Sequence, residues 1–110
     1  MIQIEINKRP DGKITSFTMD GHANFADKGQ DIVCAGASAV AFGSVNAIIA
    51  LTGIEPEIEQ ADSGFLKCTF PHKLSDEVSK QLQLLLDSMV ISLQTIERDY
   101  SDFINISFKE

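Results

Sequence analysis

Residues 2–8 alternate strictly, with Ile2, Ile4 and Ile6 on one side and Gln3, Glu5 and Asn7 on the other. A period of two predicts a strand with one buried face. Arg9-Pro10-Asp11-Gly12 then reads as a turn, because proline presets one φ and glycine permits the unusual one. Residues 13–20 resume the strand pattern with Phe17 and Met19 inward. The two strands predict a hairpin that ends at Gly21 and His22. From 21 to 30 the chain is polar and turn-prone, apart from Phe25. That ring either anchors the loop or walls a site for an apolar side chain.

An uncharged run follows from Ile32 to Ile54. It predicts a helix from about Ile32 to Leu51, with Asp31 as N-cap and Gly53 at the C-terminal cap. The run is long enough to cross a membrane. However, it is diluted by Gly36, Ser38, Gly43, Ser44 and Asn46, and lacks flanking basic residues and aromatic belts. A central helix, buried on most sides by the sheet and a partner, fits better than a membrane span.

Residues 54–61 predict a third strand, at an edge because Pro56 cannot donate to a ladder. Glu55, Glu57 and Glu59 form its solvated face. Asp62-Ser63-Gly64 is a turn, and residues 65–70 form a fourth strand with Leu66, Cys68 and Phe70 inward. Ser75, followed by Asp76 and Glu77, opens a second helix. Val78, Leu82, Leu85, Met89, Leu93 and Ile96 make its core stripe. Leu84, Leu86, Val90 and Ile91 widen that stripe, which predicts a further contact such as a subunit interface. Residues 103–108 alternate again as a closing strand. The order β-β-α-β-β-α-β predicts an α+β fold, with two helices packed on a mostly antiparallel sheet in one domain spanning 1–110.

The net charge of −7, with nine scattered basic residues, excludes a nucleic-acid-binding surface. The strand-like start has no basic n-region followed by an apolar run, so no secretory signal is expected. The two cysteines then read as free thiols in the cytoplasm. A Cys34–Cys68 disulfide stays open, and it would silence Cys34.

Chemistry concentrates between Gly21 and Ala39. Cys34 falls in the first turn of the first helix, where unpaired N–H groups and the helix dipole favour a thiolate. His22, at the corner where a strand meets the loop, is a histidine suited to act as general base. N–H groups around Cys34, with Gly29 and Gly36, are candidate oxyanion donors. Ser38 lies one turn after Cys34 on the same helix face and either bonds a backbone carbonyl or reaches the site. Asp31 is a cap or a catalytic acid. A rival reading makes Cys34 a plain core residue of a non-enzymatic binding module. A weaker one has His22, Asp31 and Cys34 ligate zinc, without the usual close Cys/His pairs. No metal or other cofactor is expected.

Gly21-His22-Ala23, followed by Gly29-Gln30-Asp31-Ile32-Val33-Cys34-Ala35-Gly36-Ala37-Ser38, resembles the signature of the ribosomal-processing cysteine protease family, and the resemblance extends over essentially the whole chain. The resemblance implies a cysteine endopeptidase with Cys34 as nucleophile and His22 as proton acceptor. Asp31 and Ser38 match motif positions as supporting residues. Gly21 is expected to let the His22 loop move. The implied substrate is large-subunit ribosomal protein twenty-seven, from which a short N-terminal extension is removed, with aromatic residues before the scissile bond. The resemblance also implies a homodimer. Cleavage serves ribosome maturation, and the rival under this resemblance is a non-enzymatic ribosome-associated or assembly module.

Overall fold

Strand alternation and helix caps place the elements in the expected order. They are β1 (Ile2–Lys8), β2 (Ile14–Asp20), α1 (Ile32–Thr52), β3 (Glu57–Ala61), β4 (Phe65–Thr69), α2 (Asp76–Asp99) and β5 (Ile104–Lys109). The structure is a computed structural model that describes every residue except Lys28 and Ser63. Those two members of the expected loop and turn lie outside the described residues.

The strands form one mixed sheet in the order β3-β4-β2-β1-β5. Neighbours are antiparallel except β1 and β5, which run parallel. Register decides which side chains share a face. Ile6 pairs with Phe17 and Phe17 with Cys68, while Ile4 pairs with Met19 and Met19 with Leu66. Ile2 stands opposite Ile104. All of these are buried, and both helices close over the same face to make one core. A register shift between Asn7 and Lys8 turns Ile14 to that face as well, although it has the opposite parity to Phe17. Fully burying an Ile, Leu or Phe side chain stabilises by about 1.5–3 kcal/mol, so this face, rather than helix propensity, holds the layers together.

Polar contacts fix α2 against the sheet. The Gln83 amide accepts from Ile14 N–H at 2.8 Å and donates to Ile14 O at 2.9 Å. Glu97 accepts from Ile106 N–H at 2.6 Å, capping a donor on the edge strand β5. Ser75 caps α2 as expected, accepting from Val78 N–H. Gly53 closes α1 in the left-handed region, at φ 74°, with its N–H donating to Ile49 O.

Some expectations need correction. Leu86 and Val90 do not widen α2 toward a subunit contact. They are core residues, because α1 packs beside α2 and covers them. Leu84 and Ile91 are exposed. Within this chain alone, α1 is covered along one side. It buries one stripe, Val33, Ala37, Ala41, Val45 and Ile48, while Ile32 is 58% and Leu51 72% exposed. By length and composition α1 would also suffice to cross a membrane. β3 begins at Glu57, just beyond Pro56, and every residue in it is exposed.

Candidate active site

Asp31 organises the start of α1 with both carboxylate oxygens. Oδ1 accepts from the N–H groups of Val33 and Cys34, each at 3.0 Å. Oδ2 reaches back to the loop and accepts from Phe25 N–H at 3.0 Å and Ala26 N–H at 3.4 Å. One side chain therefore caps the helix and ties the His22 loop to it. The hydrogen bond from Cys34 N–H is the main reason the Asp31 carboxyl lies below its ordinary range, against partial burial that pushes the other way. The Phe25 and Ala26 N–H groups and the Cys34 side chain add to the lowering.

Phe25 fastens the far side of the loop. Its ring stands edge-on to Tyr100 at 5.6 Å and to Phe103 at 5.1 Å, at the corner between α2 and β5. Asn24, at φ 58°, reverses the chain between Phe25 and the buried Ala23. This reversal aims Ala23 N–H at Cys34 Sγ, 3.2 Å away.

Both cysteines are free thiols. Cys34 is half-buried at the loop–helix junction, while Cys68 is sealed in β4, where burial pushes its thiol up to about 11. The N–H groups of Val33 and Cys34 are held by the Asp31 carboxylate, and Ala35 N–H donates to Asp31 O at 3.0 Å. Gly36 N–H lies in the regular helical ladder. The donors expected at the helix start are thus engaged within the helix, and the N–H aimed at sulfur comes from the loop. Ala23 belongs to the Gly21-His22-Ala23 motif, but nothing in the sequence marks its N–H as the donor to sulfur. Its signal is its place beside His22, as a small residue in a mostly polar loop.

Two cavities meet at the thiol. One, of about 150 Å³, is walled by apolar side chains including Ile2, Met19, Phe42 and Phe65. The other, of about 600 Å³, is more polar and includes Asn24, Asp31 and Asp62. His22, Cys34 and Ser38 line both. Gly21 borders the smaller cavity and Asp31 the larger. Cys34, Ser38 and Phe42 succeed one another at four-residue spacing along α1, so the wall supplied by Phe42 was readable from the sequence. Among the described residues Ser38 makes no hydrogen bond to a helix carbonyl, unlike Thr52 and Thr95, each bonded to the carbonyl four residues back. Gly21 adopts φ 89°, and a Cβ there would stand 2.7 Å from Met1 O. Any side chain at 21 is therefore excluded on two counts. Among the described residues no three His, Cys, Asp or Glu side chains gather as a metal site.

This arrangement suits thiol chemistry: a sulfur with an N–H aimed at it, a histidine bordering the same two clefts, and space on either side. The family model for cysteine protease Prp matches residues 1–105. The ribosomal processing cysteine protease Prp of Bacillus subtilis is 49% identical over 108 residues, covering 97% of this chain and 96% of the relative. A crystal structure of the ribosomal processing protease Prp from Staphylococcus aureus, with a covalently linked product peptide, superposes with a TM-score of 0.89 at 46% identity. It covers 99% of this chain and 100% of that one. A second structure of the Staphylococcus aureus protein, with a substrate peptide, gives a TM-score of 0.84 at 44% identity and the same coverage. Since the match runs through the thiol, the histidine loop and the sheet that carries them, the chain is a cysteine protease of the Prp family.

Proposed function

We propose that Cys34 is the nucleophile and His22 the proton acceptor of an endopeptidase whose substrate is the precursor of large-subunit ribosomal protein twenty-seven. The observation that carries this reading is that His22, Cys34 and Ser38 line both cavities. An endopeptidase must hold peptide on either side of the scissile bond, and two clefts meeting at one sulfur supply that space.

In this mechanism the His22 imidazole takes the proton from Sγ, and the sulfur attacks the scissile carbonyl carbon. The tetrahedral intermediate collapses to a thioester as the imidazolium protonates the departing amine. Water, deprotonated in turn by His22, then attacks the thioester and releases the acid, and Sγ regains its proton. Ala23 N–H, already at the sulfur, bonds a charged sulfur more strongly than a neutral one. Asp31 keeps loop and helix together, Ser38 offers a hydroxyl common to both clefts, and Gly21 gives the loop its turn.

The net charge of −7 favours a basic ribosomal protein as substrate. The name of the Bacillus subtilis relative points the same way. The exposed apolar residues Ile32, Phe42 and Ile49, on one side of α1, support a homodimer. Two free thiols suit the reducing cytoplasm. No direct contact with nucleic acid or membrane belongs to this reading.

The test is incubation of the protein and its Cys34→Ala variant with a peptide spanning the N-terminal extension, read by mass spectrometry. Cleavage at one bond by the parent alone is expected. Cleavage by Cys34→Ala would sink the nucleophile assignment, and an uncut peptide would sink the substrate. Sedimentation at micromolar concentration should give a dimer, and a monomer there would remove that part.

A further inference from the structure

We propose that Gly64, just before β4, is a positioning residue for catalysis: its bare Cα is the seat on which the His22 imidazole rests. The inference builds on the reading of His22 as proton acceptor.

His22 is exposed, and among the described residues no hydrogen bond holds its ring. Gly64 packs closely against it. A Cβ at 64 would stand 3.0 Å from Cε1 and 3.2 Å from Nε2 of His22, and 2.8 Å from Gly21 O. Real Cβ atoms essentially never approach below about 3 Å, because overlap at that distance is steeply repulsive. Gly21 is itself confined by the Met1 carbonyl, 2.7 Å from where its own Cβ would lie. With backbone on that side, a methyl group at 64 strains the Gly21 carbonyl and shifts the imidazole edge by a few tenths of an ångström. Gly64 borders the smaller cavity together with His22 and Cys34, so the displacement occurs at the site itself.

Conformation alone also calls for glycine here, since Gly64 has φ +81°. Gly12 separates the two demands. It has φ +87°, yet nothing lies within 4 Å of its would-be Cβ. Replacement at 12 meets backbone strain only, whereas replacement at 64 meets the same strain, the Gly21 carbonyl and the His22 ring.

The experiment compares Gly64→Ala, Gly12→Ala and His22→Ala, each by melting temperature, peptide cleavage and the pH dependence of Cys34 alkylation by iodoacetamide. Gly64→Ala should lower kcat of the folded enzyme tenfold or more with KM within threefold, while melting below Gly12→Ala because its methyl group also meets the Gly21 carbonyl. Its alkylation profile should lose the inflection that His22→Ala removes. Gly12→Ala should retain kcat within twofold. A Gly64→Ala enzyme with parental kcat and profile would overturn the seat, as would an equal loss in Gly12→Ala. Because Gly64→Ala can fail to fold, the parent protein gives a second reading by NMR. A cross-peak between a Gly64 Hα and His22 Hε1 is expected, and its absence overturns the inference. Parental cleavage by His22→Ala would instead bring down the proton-acceptor reading. An inactive His22→Ala beside a parental Gly64→Ala would remove the seat alone.

Discussion

Cys34 and Cys68 are the same side chain in opposite settings. Cys68 alternates into the closed face of β4, between Phe17 on one neighbouring strand and Ile58 on the other. There burial raises its thiol to about 11 and leaves it as a small apolar filler. Cys34 sits where a loop meets a helix, half-buried, with an N–H pointed at its sulfur and open space on both sides. A thiol becomes useful through solvent access and positioned partners, and the backbone supplies both at a helix start more readily than in mid-strand.

This contrast can be broken or sharpened by experiment. The largest effect is expected from His22→Ala, which should lower kcat by about 10²–10⁴-fold, the usual worth of a general base. Because His22 is exposed, the melting temperature should stay close to the parent's. Next, iodoacetamide should modify Cys34 at least about tenfold faster than Cys68 in the folded protein, with the ratio collapsing toward one in denaturant. Equal rates in the folded state would erase the distinction. Cys68→Ala should cleave within about twofold of the parent while losing about 1 kcal/mol of stability, typical of a small core truncation. The smallest effect concerns Asp31, which anchors one thiol's setting and not the other's. Its folded carboxyl ionises more readily than the unfolded one, whose value is 3.8. Its stabilisation is therefore full above about 3.8 and is lost as pH falls through the lowered folded value. Melting curves from pH 7 to pH 3 should drop more steeply for the parent than for Asp31→Asn. Parallel curves would show that the carboxylate adds nothing.

The sheet was legible in the sequence because Ile2, Ile4 and Ile6 alternate cleanly and Pro56 marks where β3 can begin. The helix start was equally readable, since Asp31 caps in the way its position suggests. The candidate residues His22, Cys34 and Ser38 stand out by spacing and loop chemistry, and all three line the same two clefts. What stayed hidden depends on tertiary contact. The inward turn of Ile14 follows from a register shift that alternation cannot show. Leu86 and Val90 look like a surplus stripe until α1 lies beside them. Gly64 reads as an ordinary turn glycine until the loop bearing His22, distant in sequence, folds onto it. The Asp31 contacts to Phe25 and Ala26 likewise need the loop to return over the helix.

The position of the first residues has a practical side. Ile2 walls the smaller cleft and the Met1 carbonyl abuts Gly21. An affinity tag fused ahead of Met1 would thus begin at the rim of the cleft, beside the histidine loop. At the far end of β5, Lys109 stands opposite Asn7, a strand's length away from Ile2. A purification handle carried beyond β5 would stand clear of the cleft. A sluggish preparation carrying an N-terminal handle would report crowding at the cleft mouth rather than the chemistry of the enzyme.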